Sequence, residues 1–513
     1  MAKRLLTVLL SIAMLLSVVI FAVSCNSSSG TETTTDKKTE TTEKTTVTTA
    51  SSDVTTTPDE TSETGEPNGR EKLDGYEDVD FGGITFLINA TVSDPAEGWH
   101  DDKNFWVETV TGNALDDAVW DRNDVMSKLY NCTIAVDASG GSAYQASIAS
   151  GEQKYIGTTA AYAIFSIASD RYYNVLKFDV DYSQEWWDQN FFNDLSCDGK
   201  LFALCGAFSL CAKKAVWVTY YNKDVYESKF ADIDIYQMVR DYEWTFDAMI
   251  EFIDKIKYDA NGDSTYTFAN GSDADIIGYM STAHNPRYLY FAGGRRYVVK
   301  NESTYDGYFV PALNDSKGMD TLAAAAKLAT TEGYLQEGYG NCDRAIMNGT
   351  TLFVSNVMGQ LEVYEAAEDL RIGILPMPMA DASQHAYYHL PDNHSTFLSI
   401  PTSYENMEVI AQFLTLFAYH SYKLVYPAFL NTYKYTYASD EESGEMVDLI
   451  TRSMSYDPGY LGQFATQFDG YIATMVMENK IGNFTSAATR YSAAAADAIA
   501  AYREKIAAID DNY

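Results

Sequence analysis

The segment from Asn26 to Arg70 limits the fold of this chain more than any other feature. Of its 45 residues, 22 are Ser or Thr, and the only clearly apolar side chains are Val47, Ala50 and Val54. Such a segment cannot bury enough apolar surface to offset the entropy lost on ordering, so it predicts a disordered tether over residues 25–75. A compact fold must therefore come from the 438 residues that begin at Tyr76.

The residues before the tether follow the order of a secretory signal. Two basic residues precede an almost unbroken apolar run from Leu5 to Val23, and small residues lead into Cys25. This order resembles a bacterial lipoprotein signal, which implies a signal peptide over residues 1–24, a lipid on Cys25 and a place on the extracellular face of the cell membrane. The alternative is a transmembrane anchor, because the run approaches the ~20 residues needed to span a bilayer.

The net charge excludes one class of partner. The whole chain carries −36, and −33 of this remains after the signal and the tether are set aside. Nucleic acids and anionic membrane surfaces are bound by basic patches. The chain is therefore predicted to bind no nucleic acid and to contact the membrane through its lipid anchor only.

The apolar pattern after Tyr76 alternates between strands and helices. A strand over 84–88, a helix over 114–130 capped by Asn113 and a strand over 132–136 form a βαβ unit, which favours a parallel sheet. Because the folded region is too long for one compact core, two lobes are expected. Further strands are predicted over 162–167, 216–221, 351–354, 372–375 and 397–400.

Short motifs in a fixed order resemble extracellular solute-binding proteins of bacterial ABC importers. Trp217–Asp224 (WVTYYNKD) resembles their strand and turn, and Glu243–Phe246 resembles the helix start that follows. Gly373–Pro378 and Ser399–Pro401 resemble two later strand ends, and Trp186–Gln189 resembles a loop of the carbohydrate-type lipoproteins of Firmicutes. The chain is thus similar to the maltose-binding branch from about residue 82 to its C-terminus.

This resemblance implies an α/β, two-lobed periplasmic-binding-protein-like (type II) fold with a ligand cleft between lobes joined by hinge strands. The first lobe would comprise residues 76–210 and 390–440, and the second 211–389 and 441–513. The implied protein is a lipid-anchored monomer that captures a carbohydrate, expected to be an oligosaccharide, and delivers it to the transmembrane subunits of an ABC permease. It would have no enzymatic activity and no cofactor.

Sugar binding requires flat aromatic rings for the C–H faces and polar groups for the hydroxyls. Ser169, Asp170 and Arg171 resemble the Asp-Arg loop of the maltose-binding branch, with a surface ion pair as the alternative. Lys213 and Lys214 stand where similar proteins carry an acid or amide, which leaves room for an acidic ligand. Position in the family implies further ligand-binding candidates, for which a core position is the alternative: Trp99, Trp187, Trp217, His284, Asn285, Arg287, Asn356, Gln360 and Tyr460.

One loop has part of a calcium-binding pattern. Asp259, Asn261 and Asp263 hold positions 1, 3 and 5 of such a loop. Ser264 replaces the usual Gly, and Asn270 replaces the Glu that normally supplies the last ligand. The loop is therefore a weak calcium candidate, with an ordinary polar turn as the alternative.

Two further residue types give no site. His385, His389 and His394 fall within ten residues, but Pro391 interrupts any helix there, so no metal is predicted. An odd number of cysteines follows Cys25, which does not indicate a disulfide framework.

Other functions remain open at the level of sequence. A peptide or another polar solute is the competing ligand for the same fold. A secreted lipoprotein glycoside hydrolase and a surface adhesion module are the competing classes. A pair of catalytic carboxylates cannot be recognised by counting in a chain with 72 acidic residues.

Overall fold

The computed structural model describes residues 68–90, 102–269, 274–367, 369–438 and 440–510. The predicted signal peptide, Cys25 and Trp99 lie outside these residues. Residues 68–75, predicted as part of the tether, instead pack on the folded region. His420 Nδ1 lies 2.9 Å from the carbonyl oxygen of Gly69, and the N–H of Leu73 donates to the Tyr130 hydroxyl at 3.1 Å. The prediction that the tether extends to residue 75 was wrong.

The strands and helices alternate along the chain. Within the described residues the strands are β1 (Ile84–Asn89), β2 (Cys132–Asp137), β3 (Ile156–Ala160), β4 (Trp217–Asn222), β5 (Ile277–Ser281), β6 (Val298–Lys300), β7 (Phe309–Pro311), β8 (Tyr334–Gln336), β9 (Thr351–Val357), β10 (Ile372–Leu375) and β11 (Thr396–Ser399). The helices are α1 (Ala114–Tyr130), α2 (Gly141–Ser150), α3 (Gln189–Leu195), α4 (Leu210–Lys214), α5 (Lys223–Phe230), α6 (Ile235–Arg240), α7 (Phe246–Ile256), α8 (Asn285–Ala292), α9 (Gly318–Ala329), α10 (Tyr339–Met347), α11 (Leu361–Glu365), α12 (Met407–His420), α13 (Tyr426–Asn431), α14 (Glu441–Arg452), α15 (Pro458–Leu461), α16 (Thr466–Met477) and α17 (Phe484–Ala507). None of the helices in these ranges has the length and apolar character needed to cross a bilayer.

The first sheet has the strand order β11-β3-β1-β2. β1 runs parallel to β2 and β3, whereas β11 returns antiparallel to β3. The predicted βαβ unit is present, because α1 connects β1 to β2 and begins where the Asn113 side chain accepts hydrogen bonds from the N–H groups of Leu115 and Asp116. The carboxyl ends of β1, β2 and β3 therefore lie at one edge of this sheet.

The third strand lies earlier than its apolar pattern predicts. β3 is Ile156–Ala160, and the predicted strand 162–167 begins instead as a 3₁₀ turn at Ala161–Ala163. Gly157 is needed in β3 because a Cβ there would overlap the ring of Tyr144. Thr158 and Thr159 are held by hydrogen bonds to neighbouring strands, so hydrogen bonding decides the strand position where apolar character does not. As a result, Tyr162 stands just beyond the carboxyl edge of the sheet.

The second sheet has the strand order β10-β4-β9-β5-β8. β4 runs antiparallel to both of its neighbours, whereas β9, β5 and β8 are parallel. Helix α7 covers this sheet with an apolar face, and its N-terminus is capped as predicted by the Thr245 side chain, which accepts from the N–H of Ala248. The beginning of β4 and the end of β9 lie at the same edge of the sheet, since Trp217 pairs with Val357.

Three segments connect the two sheets. The first leaves the first sheet where Leu204 bridges Leu398 and continues through α4 into β4. The second runs from the end of β10 to β11, and its Pro391 bridges Val216 of the first segment. The third follows α12 through two π-helical turns into α14, which packs against β10. A two-lobed architecture follows, with the first two connections side by side.

The cysteines among the described residues are all buried free thiols: Cys132, Cys197, Cys205, Cys211 and Cys342. Burial raises the pKa of the Cys205 thiol to about 12. These groups therefore behave as small apolar side chains of the core.

Candidate functional site

Aromatic and polar side chains converge where the carboxyl edge of β3 meets the beginning of β4. The ring of Trp217 stacks on the ring of Tyr288 with centroids 4.1 Å apart and planes 15° apart. Both side chains donate to one carboxylate oxygen, Asp392 Oδ2: the Tyr288 hydroxyl at 2.8 Å and Trp217 Nε1 at 3.5 Å. Since Asp392 lies on the connection to β11, the group joins a second-lobe helix to both connecting segments. We call Trp217, Tyr288, Asp392, His394 and Tyr460 the Asp392 cluster.

The Asp392 carboxylate is occupied by protein donors on both oxygens. Its Oδ1 accepts from the N–H of His394 at 2.9 Å and from His394 Nδ1 at 2.8 Å. Burial opposes ionisation, but the hydrogen bonds from His394 and Tyr288 outweigh it and hold the pKa of Asp392 below its usual value. Because an ionised carboxylate only accepts, the proton must be on His394 Nδ1, which leaves Nε2 as an acceptor in the neutral ring. Asp392 thus orients the cluster.

Tyr460 completes the hydrogen-bond chain behind Asp392. Its hydroxyl lies 2.8 Å from the Tyr288 hydroxyl. Since the Tyr288 proton points to Asp392, Tyr460 must donate to Tyr288. The Tyr460 oxygen accepts in turn from the N–H of Asn393 at 3.3 Å. The chain fixes α15 against the second connecting segment.

Solvent-exposed rings stand around this cluster. Tyr162 is 44% exposed and Tyr339 43% exposed, although large aromatic side chains usually bury most of their surface. The ring centroid of His394 lies 5.6 Å from that of Tyr162, and His284 stacks near Tyr339 at 6.1 Å. Tyr339 also lies 6.3 Å from Trp217. The rings of Tyr162 and Tyr339 therefore border the site from the two lobes.

Arg287 supplies a fixed positive charge beside the cluster. Its Nη2 lies 2.6 Å from Asp469 Oδ2, and its guanidinium lies 5.3 Å from the centre of the Tyr460 ring. Burial opposes the charge, but Asp469 outweighs it, so the pKa of Arg287 is raised. Burial and then Arg287 lower the pKa of His284. The site therefore presents a neutral His284 edge and a neutralised arginine near neutral pH.

The structure brings together four of the residues predicted from sequence: Trp217, His284, Arg287 and Tyr460. Three others are placed in the interior of the second lobe. Asn285 Nδ2 donates to the Tyr279 hydroxyl at 2.8 Å, and Asn356 Nδ2 donates to Asp343 Oδ1 at 3.1 Å. Gln360 is buried in the 3₁₀ turn after β9.

The predicted Asp-Arg loop lies away from the Asp392 cluster. Thr402 donates through Oγ1 to the carbonyl of Asp170 at 2.8 Å and through its N–H to that of Arg171 at 3.0 Å. Thr402 follows the Ser399 end of β11, whereas His394 precedes the Thr396 end, and the strand between them spans roughly 10 Å at 3.3 Å per residue. Ser169, Asp170 and Arg171 therefore lie at the opposite edge of the first sheet.

One further predicted ligand residue, Trp187, lies in the core. Trp187 is 3% exposed and packs edge-on against Tyr182, Phe192 and Phe208, so it is part of the first-lobe core.

The lysine pair is neutralised within the protein. Lys214 Nζ lies 2.8 Å from Glu362 Oε1 and its side chain is 2% exposed, while Lys213 Nζ lies 3.9 Å from Asp188 Oδ2. Both charges are therefore matched within the protein, and the two lysines give no reason to expect an acidic ligand.

The calcium candidate is a polar turn. Asp259 accepts from the N–H of Gly262 through Oδ1 and from the N–H of Ser264 through Oδ2, both at 2.7 Å. Asn261 and Asp263 likewise accept from backbone N–H groups two residues ahead. These oxygens serve the turn itself, and no group of three metal-ligating side chains occurs in the part of the chain that the structure describes. Asn270 lies outside it.

Sequence reasoning missed five residues of the site: Tyr162, Tyr288, Tyr339, Asp392 and His394. Tyr162 is missed because the apolar pattern predicts a strand over 162–167, which begins at this residue. Asp392 and His394 had a readable signal, since Pro391-Asp392-Asn393-His394 is a polar run immediately before a buried strand. Nothing local separates Tyr288 or Tyr339 from the other 37 tyrosines.

Comparisons with known proteins identify the fold. No protein-family model matches the chain, and no curated protein matches its sequence. The crystal structure of a cyclo/maltodextrin-binding protein complexed with maltotetraose superposes with a TM-score of 0.54, covering 81% of this chain and 97% of that one at 12% identity. The two-lobed type II periplasmic-binding-protein fold predicted above is confirmed by this match.

Two other solved structures match at lower scores. A maltose-binding periplasmic protein from Listeria monocytogenes, in complex with maltose, gives a TM-score of 0.48 at 12% identity over 84% of this chain and 99% of that one. A maltose/maltodextrin-binding domain from Bdellovibrio bacteriovorus, bound to maltotriose, gives 0.47 at 14% identity over 81% and 100%. At these scores neither adds an argument.

Proposed function

We propose that this chain is a solute-binding protein that captures a carbohydrate, an oligosaccharide, between its lobes. The observation that carries the proposal is the Asp392 cluster. Together with the exposed rings of Tyr162 and Tyr339 around it, the cluster brings aromatic rings and polar edges from both lobes to the junction of a two-lobed fold, and clefts between lobes are preferred ligand sites. The protein of that fold with a TM-score of 0.54 was crystallised with maltotetraose.

The chemistry of the site suits a neutral, hydroxyl-rich ligand. The rings of Tyr162 and Tyr339 can pack against the C–H faces of sugar units, as aromatic side chains do with large apolar surfaces. His394 Nε2 can accept a hydrogen bond from a hydroxyl, and the exposed edge of His284 can accept or donate one. Arg287 is already paired with Asp469, so the ligand need not be charged to satisfy it.

Binding without bond cleavage is the second part of the proposal. A glycosidase needs one carboxyl group free to donate a proton and another free to attack or activate water. Asp392 accepts four hydrogen bonds from protein donors, and Asp469 accepts from Arg287 and from the Tyr297 hydroxyl. Both carboxylates are therefore committed to holding the site together.

Delivery to an ABC permease is the third part. The lipoprotein-like signal and the Ser/Thr-rich tether in the sequence support an extracellular receptor anchored at Cys25. A tether of this kind raises the local concentration of a receptor at a membrane partner. Closure of the lobes around a ligand would give the permease a surface that differs from that of the empty receptor.

A thermal-shift screen tests the proposal. The full chain is heated with maltotetraose, other oligosaccharides of four units and polar tetrapeptides, each at 1 mM as an order-of-magnitude choice that exceeds most receptor dissociation constants. A ligand at 100 times its Kd stabilises the folded state by about 2.7 kcal/mol and raises Tm by several degrees. A rise with an oligosaccharide that is recovered intact supports the proposal. A rise with peptides alone, or the appearance of shorter sugars, contradicts it.

A further inference from the structure

Two second-lobe elements reach across to the first lobe beside the Asp392 cluster. One is the β6–β7 hairpin, and the other is the C-terminal half of α17 with the residues up to Ile509; we call them together the strap. The beginning of α17 is anchored in the second lobe, where Phe484 contacts Phe468 of α16 at 6.1 Å between ring centroids. The strap therefore connects the lobes without being one of the three chain connections.

Charged side chains fasten α17 to the first lobe. Arg503 binds Asp198 with two hydrogen bonds, Nε to Oδ2 at 2.6 Å and Nη2 to Oδ1 at 2.9 Å. Lys505 Nζ donates to the carbonyl of Ser166 at 2.8 Å, and Lys200 Nζ donates to that of Ile509 at 2.9 Å. A bidentate arginine–carboxylate pair is among the stronger polar contacts at a protein surface.

Backbone hydrogen bonds fasten the hairpin. The N–H of Asp198 donates to the carbonyl of Gly307 at 3.1 Å, and the N–H of Gly199 donates to that of Tyr305 at 3.0 Å. Main-chain bonds of this kind fix the register of the two segments independently of side chains. The hairpin is therefore held to the turn between α3 and the first connecting segment.

An aromatic core lies beneath these contacts. Phe165 of the first lobe is buried, and its ring centroid lies 5.1–5.3 Å from those of Phe309, Phe464 and Tyr502. Gly462 approaches the same ring so closely that a Cβ would overlap it. The four rings are packed as a protein core and would expose a large apolar area if the lobes separated here.

The strap lies next to the Asp392 cluster. Phe165 is three residues after Tyr162, and α15, which carries Tyr460, packs against the turn Ala161–Ala163. We propose that the strap closes this end of the cleft, so that the lobes separate only on the other side and the site takes a short saccharide or the end of a longer one. The nature of the ligand rests on the proposed function, whereas the closed end does not.

Two exposed residues sample the cleft away from the strap: Ser139 follows β2, two strands from β3 at the carboxyl edge of the first sheet, and Gly340 follows Tyr339 in α10. Paired nitroxide labels can compare the two sides in the full chain with Cys25→Ser, because the thiols described above are buried. One pair replaces the exposed residues Ser166 and Glu504 at the strap, and the other replaces Ser139 and Gly340. Distances are measured by pulsed electron resonance without ligand and with 1 mM maltotetraose as the probe, in large excess over an expected Kd.

The strap pair is expected to give one narrow distance that maltotetraose does not change, while the other pair gives a broader distribution without ligand. A distance distribution at the strap as broad as that of the other pair, or a larger change of distance on binding, would overturn the proposal that this end is closed. Titration with the ring-closed glucan β-cyclodextrin tests ligand length: linear maltotetraose should bind at least tenfold more tightly, and equal affinity overturns the one-ended site. If neither sugar binds, the proposed function fails for glucans, while the two distance distributions still decide the strap.

Discussion

The two ends of strand β4 differ in what surrounds them. At its beginning, Trp217 belongs to the Asp392 cluster, where two lobes and two connecting segments meet. At its end, Asn222 borders a groove of about 700 Å³ whose wall includes Tyr258, Ile276 and Met347. This distal groove is large enough for a small ligand, yet every residue that lines it belongs to the second lobe.

The two ends of β4 also differ in how their polar side chains are hydrogen-bonded. In the distal groove, Asn222 is already used, since its Nδ2 donates to the carbonyl of Ile346 at 2.9 Å and its Oδ1 accepts from the N–H of Val225 at 3.0 Å. The ring of Tyr258, which forms part of the wall of this groove, is 62% exposed to solvent. At the Trp217 end, polar groups from separate elements meet at the junction of the lobes, where closure would change their spacing. A receptor that reports ligand by closing needs the second arrangement.

Replacing Asp392 is expected to have the largest effect on ligand binding. D392A removes the acceptor of four hydrogen bonds and leaves Trp217, Tyr288 and His394 without their common partner. Hydrogen bonds to charged groups contribute about 1.5–3 kcal/mol each, so the affinity for the saccharide found in the screen should fall about 100-fold or more. Isothermal titration calorimetry measures it.

The distal groove supplies the matched control for this change. Y258A truncates an exposed aromatic ring without touching the Asp392 cluster, and it should leave the affinity within about twofold, since surface substitutions usually act by less than about 0.5 kcal/mol. Circular dichroism and Tm confirm that both variants are folded. A larger loss of affinity in Y258A than in D392A would show that the ligand binds in the distal groove instead.

Acid is expected to weaken the fold through the connecting segment that carries Asp392. His389 is buried there; its Nε2 accepts from the N–H of Met377 at 3.2 Å, and its Nδ1 lies 2.7 Å from Ser453 Oγ. Burial lowers the pKa of His389 from 6.5 to about 3. The unfolded chain therefore takes up a proton below pH 6.5 that the folded protein refuses, so stability is lost as the pH falls from 6.5 towards 3.

The matched variant for His389 is H389Q, which keeps an acceptor for Met377 but does not titrate. In urea titrations at pH 6.5, 5.5 and 4.5, the free energy of unfolding of the wild type should fall more steeply than that of the variant by about 1.4 kcal/mol per pH unit. Other groups act equally in both proteins: His420 in the same direction, with a pKa of about 4, and Asp194 and Asp457 in the opposite one, with pKa values of about 6. Equal slopes of the unfolding free energy against pH in the two proteins would show that His389 accepts a proton in the folded state.

Removing an exposed ring should weaken binding less than removing Asp392. Tyr339 and Tyr162 approach from the two lobes, and an aromatic contact contributes about 0.5–1.5 kcal/mol beyond its buried area. Y339A and Y162A should therefore each lower affinity about 3- to 15-fold by calorimetry. Y339F keeps the ring and should stay within about twofold. If Y339F loses as much as Y339A, the hydroxyl and not the ring face contacts the ligand.

The sequence was sufficient to predict the fold and four residues of the site: Trp217, His284, Arg287 and Tyr460. Periodicity located β1, α1, β2 and β4 because their apolar faces repeat with clear periods. It misplaced β3, whose residues IGTTA are weakly apolar and are fixed by Tyr144, Asn89 and Ser399 from elsewhere in the chain. An error of a few residues there moved the expected ligand loop from Tyr162 to Asp170.

Site residues were predictable only where a motif carried them. Trp217 lies in WVTYYNKD, whereas Tyr288 and Asp392 are 104 residues apart and meet only through the crossing of two segments. No local pattern encodes such a meeting. The strap has the same origin, since Arg503 and Asp198 are separated by 305 residues.

The Ser169–Arg171 loop is expected to give the smallest effect, although it has the most sugar-like sequence. Its backbone is held by Thr402 at the edge of the first sheet away from Asp392. The side chains of Asp170 and Arg171 are exposed, and exposed substitutions away from a site usually change free energies by less than about 0.5 kcal/mol. The double variant D170A/R171A should therefore bind the saccharide within about twofold of the wild type. A tenfold loss would bring this loop back into the site and would require the ligand to extend around the edge of the first lobe.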